Sequence, residues 1–379
     1  SEMCIRDRFK AVAGYYKDNE RLRLLVKIIA VWLISRAVML LMVPVMNLIA
    51  DEPHQWLYYM NPWDAEWYKG IVENGYQPPK SSGMASWAFF PLYPLVCMAV
   101  RLVTMGSIDT YAVGMTVSNI CIIIAVYYAV KYADIELDMK KYNKKTVEDI
   151  IIFLMLAGPF AVYYGAMYTE ALFILCVILC FYNSARHNYM AAGIAAAMAS
   201  ATRIVGCMLV FVLITYMFME TCAECRAKHN SEMKDNKEAG IIDKCMLTEE
   251  AGILIAGNIS LASVIRTFIK NVIKEPKKLV AIMISPLGIF IYMNYLRYFC
   301  GDSWAFYHVQ RAWRTQKMFP VIGVLFKSCT GQLSAASGVK TLNGIILGWL
   351  CVITLMLYAA MIRKKHYALG IFGIIVLLI

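Results

Sequence analysis

Residues 111–133 read YAVGMTVSNICIIIAVYYAVKYA, an apolar run with one charged residue, Lys131. It exceeds the roughly 20 residues a helix needs to cross a hydrocarbon core. It leads into Lys140, Lys141, Lys144 and Lys145, a basic flank of the kind held in the cytoplasm. The stretch before it, Trp87–Met105, is also apolar, but Pro91 and Pro94 break its start and Arg101 sits near its end. If both stretches crossed, the lysines would face outward. Trp87–Met105 is therefore predicted to lie in the outer interface with its aromatic end at the headgroups. This assignment sets the fold class: an all-α polytopic membrane protein.

Composition agrees. The chain has 379 residues, 60% of them hydrophobic, with a mean hydropathy of +0.57, whereas soluble domains sit near 45–50% apolar. That excludes a soluble globular, disordered or fibrous chain. Unbroken apolar runs exclude an outer-membrane barrel, whose strands alternate. The length accommodates roughly eight to ten spans plus loops. The net charge of +11 reads as topogenic, and no nucleic-acid partner is expected. The twelve cysteines lie mostly in apolar runs and show no disulfide-framework spacing. No cleavable signal peptide is expected, and both termini, Ser1 and Ile379, are expected to be incomplete.

The first span, Val26–Ala50, follows six basic residues and carries Lys27 at its start, which puts the N-terminus in the cytoplasm. Residues 51–110 then form the first extracytoplasmic loop with its interfacial helices. Further spans are predicted at Ile150–Met167, Ala171–Ala185, Tyr189–Ala201, Ile204–Met219, Leu279–Phe299 and Leu342–Met361, with a last run starting at Tyr367. Residues 220–278 are expected to be a polar cytoplasmic loop and 300–341 a second large extracytoplasmic loop, all within a single transmembrane domain, 1–379. With this threading 26 of the 37 Lys and Arg face inward and 9 outward. Short, broken helices are tolerated where they line a protein cavity.

Four constellations fall on the outer face. The first is Asn61-Pro62-Trp63-Asp64-Ala65-Glu66-Trp67-Tyr68 with Gly75-Tyr76. Asn61-Pro62 suits a helix start, which would put Asp64 and Tyr68 on one stripe. A carboxylate held among aromatic rings is partly desolvated and more basic, as a general base requires; ordinary Trp anchoring around a solvated acid is the plainer alternative. The second, Trp87-Ala88-Phe89-Phe90-Pro91-Leu92-Tyr93-Pro94-Leu95, reads alone as membrane anchoring. The third is Gly158-Pro159-Phe160 followed by Tyr168-Thr169-Glu170. Here Thr169 can cap the returning helix with Glu170 in its first turn, or Glu170 is a second active-site acid. The fourth comprises Arg203 in Ala201-Thr202-Arg203 and Arg311 and Arg314 in the segment that begins Gly301-Asp302. Arginine at membrane depth reads as functional, and its planar fork suits phosphate. An outward acid with arginines at the boundary points to a phosphorylated lipid substrate.

Other signals are weaker. Cys222-x-x-Cys225 with His229 and Cys245 has irregular zinc spacing, and Asp134-Ile135-Glu136-Leu137-Asp138 reads as a solvated flank. No phosphate-binding glycine loop is present. Arg36, mid-span, either neutralises a site acid or pairs structurally. A flippase or transporter of a lipid-linked substrate would show internal repeats and mid-membrane charges. A metal-dependent transferase would cluster its His ligands, and the five here are scattered.

Taken together, the motifs resemble the PIG-V family, which contains the second mannosyltransferase of glycosylphosphatidylinositol assembly and many bacterial relatives. The carriers run in family order from Asn61 to Trp313: Trp63-Asp64-Ala65-Glu66-Trp67-Tyr68, Phe89-Phe90-Pro91-Leu92-Tyr93-Pro94-Leu95, Tyr168-Thr169-Glu170-Ala171-Leu172-Phe173, Ala201-Thr202-Arg203 with Gly206, and Gly301-Asp302 with Phe306 and Gln310-Arg311-Ala312-Trp313. Ile204-Val205 and Ser303 depart from the pattern. The resemblance implies a glycosyltransferase of the GT-C architecture in a bacterial plasma membrane. Its implied donor is mannose on a polyprenyl monophosphate, its acceptor a glycolipid, polymer or protein, and no cofactor or metal is required. It implies Asp64 as the catalytic acid of the first extracytoplasmic loop, and Glu170, on the reading of its own motif, is the second active-site acid that positions acceptor or sugar. Trp63, Glu66, Trp67, Tyr68, Tyr168, Arg203, Asp302, Gln310, Arg311 and Arg314 would bind substrate.

Overall fold

The computed structural model describes residues 19–49, 55–79, 83–238, 260–312, 321–330 and 338–378. All regular structure among them is helical, and the protein is an all-α polytopic membrane protein. Among the described residues, four helices are long and apolar enough to cross a bilayer: Glu20–Ile49, Thr110–Glu136, the run Ile204–Ser231 and Asn343–Arg363. A fifth candidate is the pair Pro276–Ile284 and Leu287–Cys300, bent by 42° at its break. Fewer helices meet that length than the apolar runs suggested, because several runs break early. The run from Ile150 ends as a helix at Ala157, where Gly158-Pro159 begins a series of turns. Glu170–Ala185 has 16 residues and Tyr189–Ser200 has 12, about 24 and 18 Å at 1.5 Å per residue, against a core of about 30 Å. Leu92–Val103 is likewise a 12-residue helix, too short to cross.

Two compact units emerge: Ser1–Tyr182, Ala201–Ile204 and Phe290–Trp313 form one, and Asn183–Ser200, Val205–Ile289 and Arg314–Ile379 the other. In the first, α1 (Glu20–Ile49) starts with the Asn19 side chain accepting from the Leu22 amide at 3.1 Å and Glu20 in the first turn. Then come α2 (Trp56–Met60), α3 (Ala65–Asn74), a 3₁₀ turn at Ser86–Ala88, α4 (Leu92–Val103), α5 (Thr110–Glu136), α6 (Lys144–Ala157) and α7 (Glu170–Ala185). Asp109 caps α5 and Asn143 caps α6, each side chain accepting two backbone amides. Lys27 pairs with Asp149 at 2.6 Å, and Lys144 pairs with Glu20 and Asp134. These pairs bring the start of α1, the end of α5 and the start of α6 to one end of the unit. Asp134 of the acidic run is thereby ion-paired.

The other end carries the aromatic packing. Tyr93 on α4 is fully buried; its hydroxyl donates to Gly114 O at 2.9 Å and shares a hydrogen bond with Ser118. Gly114 lets the chain near Met167 approach α5 closely, since a Cβ there would fall 2.2 Å from Met167 Cγ. Tyr292 donates to Trp87 O at 2.8 Å, and Phe90 packs against Tyr292 and Phe306.

In the second unit, α8 (Tyr189–Ser200) packs its small residues against α11 (Pro276–Ile284), so closely that a Cβ on Gly193 would meet Ala281 Cα at 2.8 Å. The described residues of the expected 220–278 loop are largely helical: α9 (Leu209–Glu238) extends into it, and α10 (Leu261–Lys274) and the start of α11 lie at its end. Lys278 is buried and pairs with Glu220 at 3.0 Å and Glu275 at 2.8 Å. Downstream, α12 (Leu287–Cys300), from Phe290 onward, and the short α13 (Ala305–His308) belong to the first unit, and α14 (Val321–Cys329), α15 (Gly338–Arg363) and α16 (Tyr367–Leu378) to the second, so the 300–341 region also carries helices.

Candidate active site

The Asp64 turn is built differently from the expected helix start. α3 begins at Ala65, not Pro62. Asn61 caps no helix N-terminus. It ends α2, donates to Leu57 O at 2.8 Å, and accepts the Met167 amide at 2.7 Å. Between them the chain turns through Trp63, whose φ of +52° is left-handed, a conformation that costs a non-glycine residue about 1–2 kcal/mol. Trp63 is thus thrown outward, 74% exposed, and stacks on Tyr163 with ring centroids 6.4 Å apart. Asp64 takes the N-cap position, yet its side chain makes no capping hydrogen bond. Its carboxylate is left for other work.

Tyr168 holds this turn. Its hydroxyl donates to Pro62 O and accepts the Asp64 amide at 3.2 Å. Burial pushes the phenol up to about 12, so it remains protonated, and therefore a donor, at neutral pH. Tyr68, one turn into α3, is buried and reaches Thr169 Oγ1 at 3.4 Å. Its ring sits edge-on to Phe89, Tyr93 and Tyr168.

Thr169 is followed by Glu170, the first residue of α7. Arg203 lies in the turn after α8, and the Ala201 carbonyl of that turn accepts the Leu92 amide at 3.0 Å, tying it to the start of α4. Arg203 Nη1 donates to Glu170 Oε1 at 2.6 Å. Asp64, Glu170 and Arg203 feel one another's charge. Desolvation and the Glu170 charge raise the Asp64 carboxyl above the usual carboxylate range, and Arg203 pulls it back. Burial works against the Arg203 cation, but the Glu170 carboxylate outweighs it and holds Arg203 above its ordinary value. The result is a basic carboxylate beside a carboxylate–guanidinium pair.

Not every expected residue joins this cluster. Trp67 stacks on Phe89 at 5.7 Å as part of the aromatic core, and Glu66 accepts from the Tyr111 hydroxyl on α5. Asp302 accepts the Trp304 amide at 2.9 Å and pairs with His308 at 2.6 Å, which holds its carboxyl below the usual range. Gln310 and Arg311 follow in a 3₁₀ turn, Arg311 exposed. Arg314 and Cys245 lie outside the described residues. Cys222, Cys225 and His229 share α9, and no group of three metal-ligating side chains occurs among the described residues. Tyr163 was missed, although its place after Gly158-Pro159-Phe160 put it in a turn rich in aromatic residues.

An all-helical membrane protein with a basic carboxylate and a carboxylate–arginine pair on irregular turns beside short helices has the makings of a membrane-embedded transferase. The family model for mannosyltransferase (PIG-V) matches residues 21–239, more than half of the chain, and the chain belongs to that family. It is a glycosyltransferase of a mannosyl-transferring family. No curated protein and no solved structure gives a match.

Proposed function

We propose that this protein is an inverting mannosyltransferase of GT-C type that uses a polyprenyl-phosphate sugar. Asp64 takes the proton from an acceptor hydroxyl as the acceptor oxygen attacks the anomeric carbon. The bond from that carbon to the phosphate oxygen breaks, and the polyprenyl monophosphate leaves with the electron pair. Arg203, oriented by Glu170, meets the growing phosphate charge. Tyr168 keeps Asp64 in place, and Trp63 and Tyr68 shape the acceptor side. Asp302, Gln310, Arg311 and Arg314 serve the donor. The Lys/Arg distribution supports a cytoplasmic N-terminus and an extracytoplasmic site in a bacterial plasma membrane.

The observation that carries this reading is the Asp64 carboxylate. It caps no helix, its basicity is raised, and it lies within the field of the Glu170–Arg203 pair. The deciding experiment supplies synthetic polyprenyl-phosphate-mannose and a membrane extract as acceptor to purified protein, with EDTA present. Mannose transfer by wild type and none by Asp64→Asn is the expected result. Equal transfer by both removes Asp64 as the base, and donor that neither turns over nor binds removes the polyprenyl-phosphate assignment.

A further inference from the structure

Helix α10, Leu261–Lys274, has 14 residues, about 21 Å at 1.5 Å per residue, too short for a hydrocarbon core of about 30 Å. Its sequence, LASVIRTFIKNVIK, sorts into three rows at four-residue spacing. Val264 and Val272 are buried, and Phe268 between them sets its ring edge-on to Phe218 of α9 at 5.7 Å. Ile265, Ile269 and Ile273 form a second row and are exposed. Arg266, Lys270 and Lys274 form a third row beside it, also exposed.

The helix carries no acidic residue, and none of its three cations has an ion pair among the described residues. Carboxylates on the elements packed against it are engaged elsewhere: Glu224 accepts from Asn271 at 2.9 Å, and Glu220 and Glu275 pair with Lys278. The contacts with α9 also fix a level. The apolar run of α9 ends at Met219, and Glu220, Glu224, Arg226 and Lys228 follow. Phe268 meets α9 just before that change and Asn271 just after it, so α10 lies level with the membrane boundary.

An exposed apolar row beside an unpaired basic row at that level matches a negatively charged leaflet, whose acyl chains cover the isoleucines while its headgroups balance the cations. Neutral lipid would cover the isoleucines but leave the cations without counter-charge. We propose that α10 is an in-plane anchor that binds a negatively charged leaflet, so that the anionic lipid content of the membrane sets how firmly α10 is held. All of these residues belong to the second unit, and the proposal does not rest on the mannosyl-transfer reading.

The test places the full chain in nanodiscs of phosphatidylcholine alone, or of phosphatidylcholine and phosphatidylglycerol in equal parts, and follows hydrogen exchange of the α10 peptides at low salt. Exchange should be at least roughly fivefold slower in the mixed bilayer, the worth of one cation near a charged leaflet, with the α15 peptides unchanged. Raising the salt, or combining Arg266→Gln, Lys270→Gln and Lys274→Gln, should return it to the phosphatidylcholine rate. Ile269→Glu should abolish the added protection too. Equal exchange in the two bilayers overturns the proposal, since neutral lipid or protein then covers the row. A lipid effect that survives the triple substitution, or that α15 shares, overturns it as well. Should the triple variant fail to fold, the lipid comparison and salt dependence of the wild type still decide.

Discussion

Glu170 uses its two carboxylate oxygens differently: Oε1 accepts from Arg203 at 2.6 Å, while Oε2 is buried with no hydrogen-bond partner among the described residues. Leaving a buried carboxylate oxygen unpaired is costly. On the proposed mechanism Glu170 orients Arg203 through Oε1, and Oε2 keeps an unmet acceptor capacity.

Replacing Asp64 with Asn removes the proposed base but little structure, because the side chain caps nothing. Turnover should fall by about 10²–10⁴-fold, the usual worth of positioned proton transfer. The melting temperature should stay within a degree or two of wild type. Steady-state mannosyl transfer and a thermal melt of the same preparation check both halves.

The charges around Asp64 predict opposite shifts of the pH profile. Asp64 must be ionised to act as base, so activity is lost as pH falls through its raised value. Glu170→Gln removes one cause of that rise, and the acidic limb of kcat/KM should move to lower pH. Arg203→Ala removes the opposing cause and should move the limb to higher pH. Profiles that keep their acidic limb in both variants would dissociate these charges from the base.

Tyr168→Phe deletes the hydroxyl that holds Pro62 O and the Asp64 amide, and leaves the ring contacts with Tyr68 and Tyr163 in place. Small misplacement of a catalytic group costs up to about 10²-fold. The expected result is a fall in kcat with donor KM nearly unchanged. A rise in KM with kcat intact would make Tyr168 a binding group instead.

Gly206 follows the Arg203 turn where a Cβ would fall 2.2 to 2.4 Å from backbone atoms of Ala199 and Ser200. Backbone cannot give way cheaply, so Gly206→Ala should cost at least the roughly 1–3 kcal/mol of an overpacked core. Gly75→Ala is the control. Its φ of +72° with ψ of −173° is a conformation essentially reserved for glycine, but its surroundings are open, so only the backbone term of about 1–3 kcal/mol applies. Thermal melts rank the two.

The clustering of Asp64, Tyr168, Glu170 and Arg203 was legible in the sequence because each sits in a short motif at the edge of an apolar run. The helix start at Asn61-Pro62 was not. Local capping preference favoured it, but Asn61 gains more by holding Met167, a residue 106 positions away, and no local rule encodes such a partner. The helix ends inside apolar stretches were not legible for a related reason. Hydropathy counts apolar residues, whereas Gly158-Pro159 and the Ala201–Arg203 turn end helices within apolar stretches. Within 220–278 the charged residues outweighed the periodic signal, yet Leu261, Ile265, Ile269 and Ile273 recur at helical spacing and mark α10.

Tyr168 and Asn61 join the Asp64 turn to the chain between α6 and α7 at both its ends. The Asp64 carboxylate therefore takes its coordinates from a distant part of the polypeptide, and its own neighbours in sequence are relieved of that duty. If Asp64 is the base, as proposed, residues around Trp63 are free to vary while the carboxylate stays put.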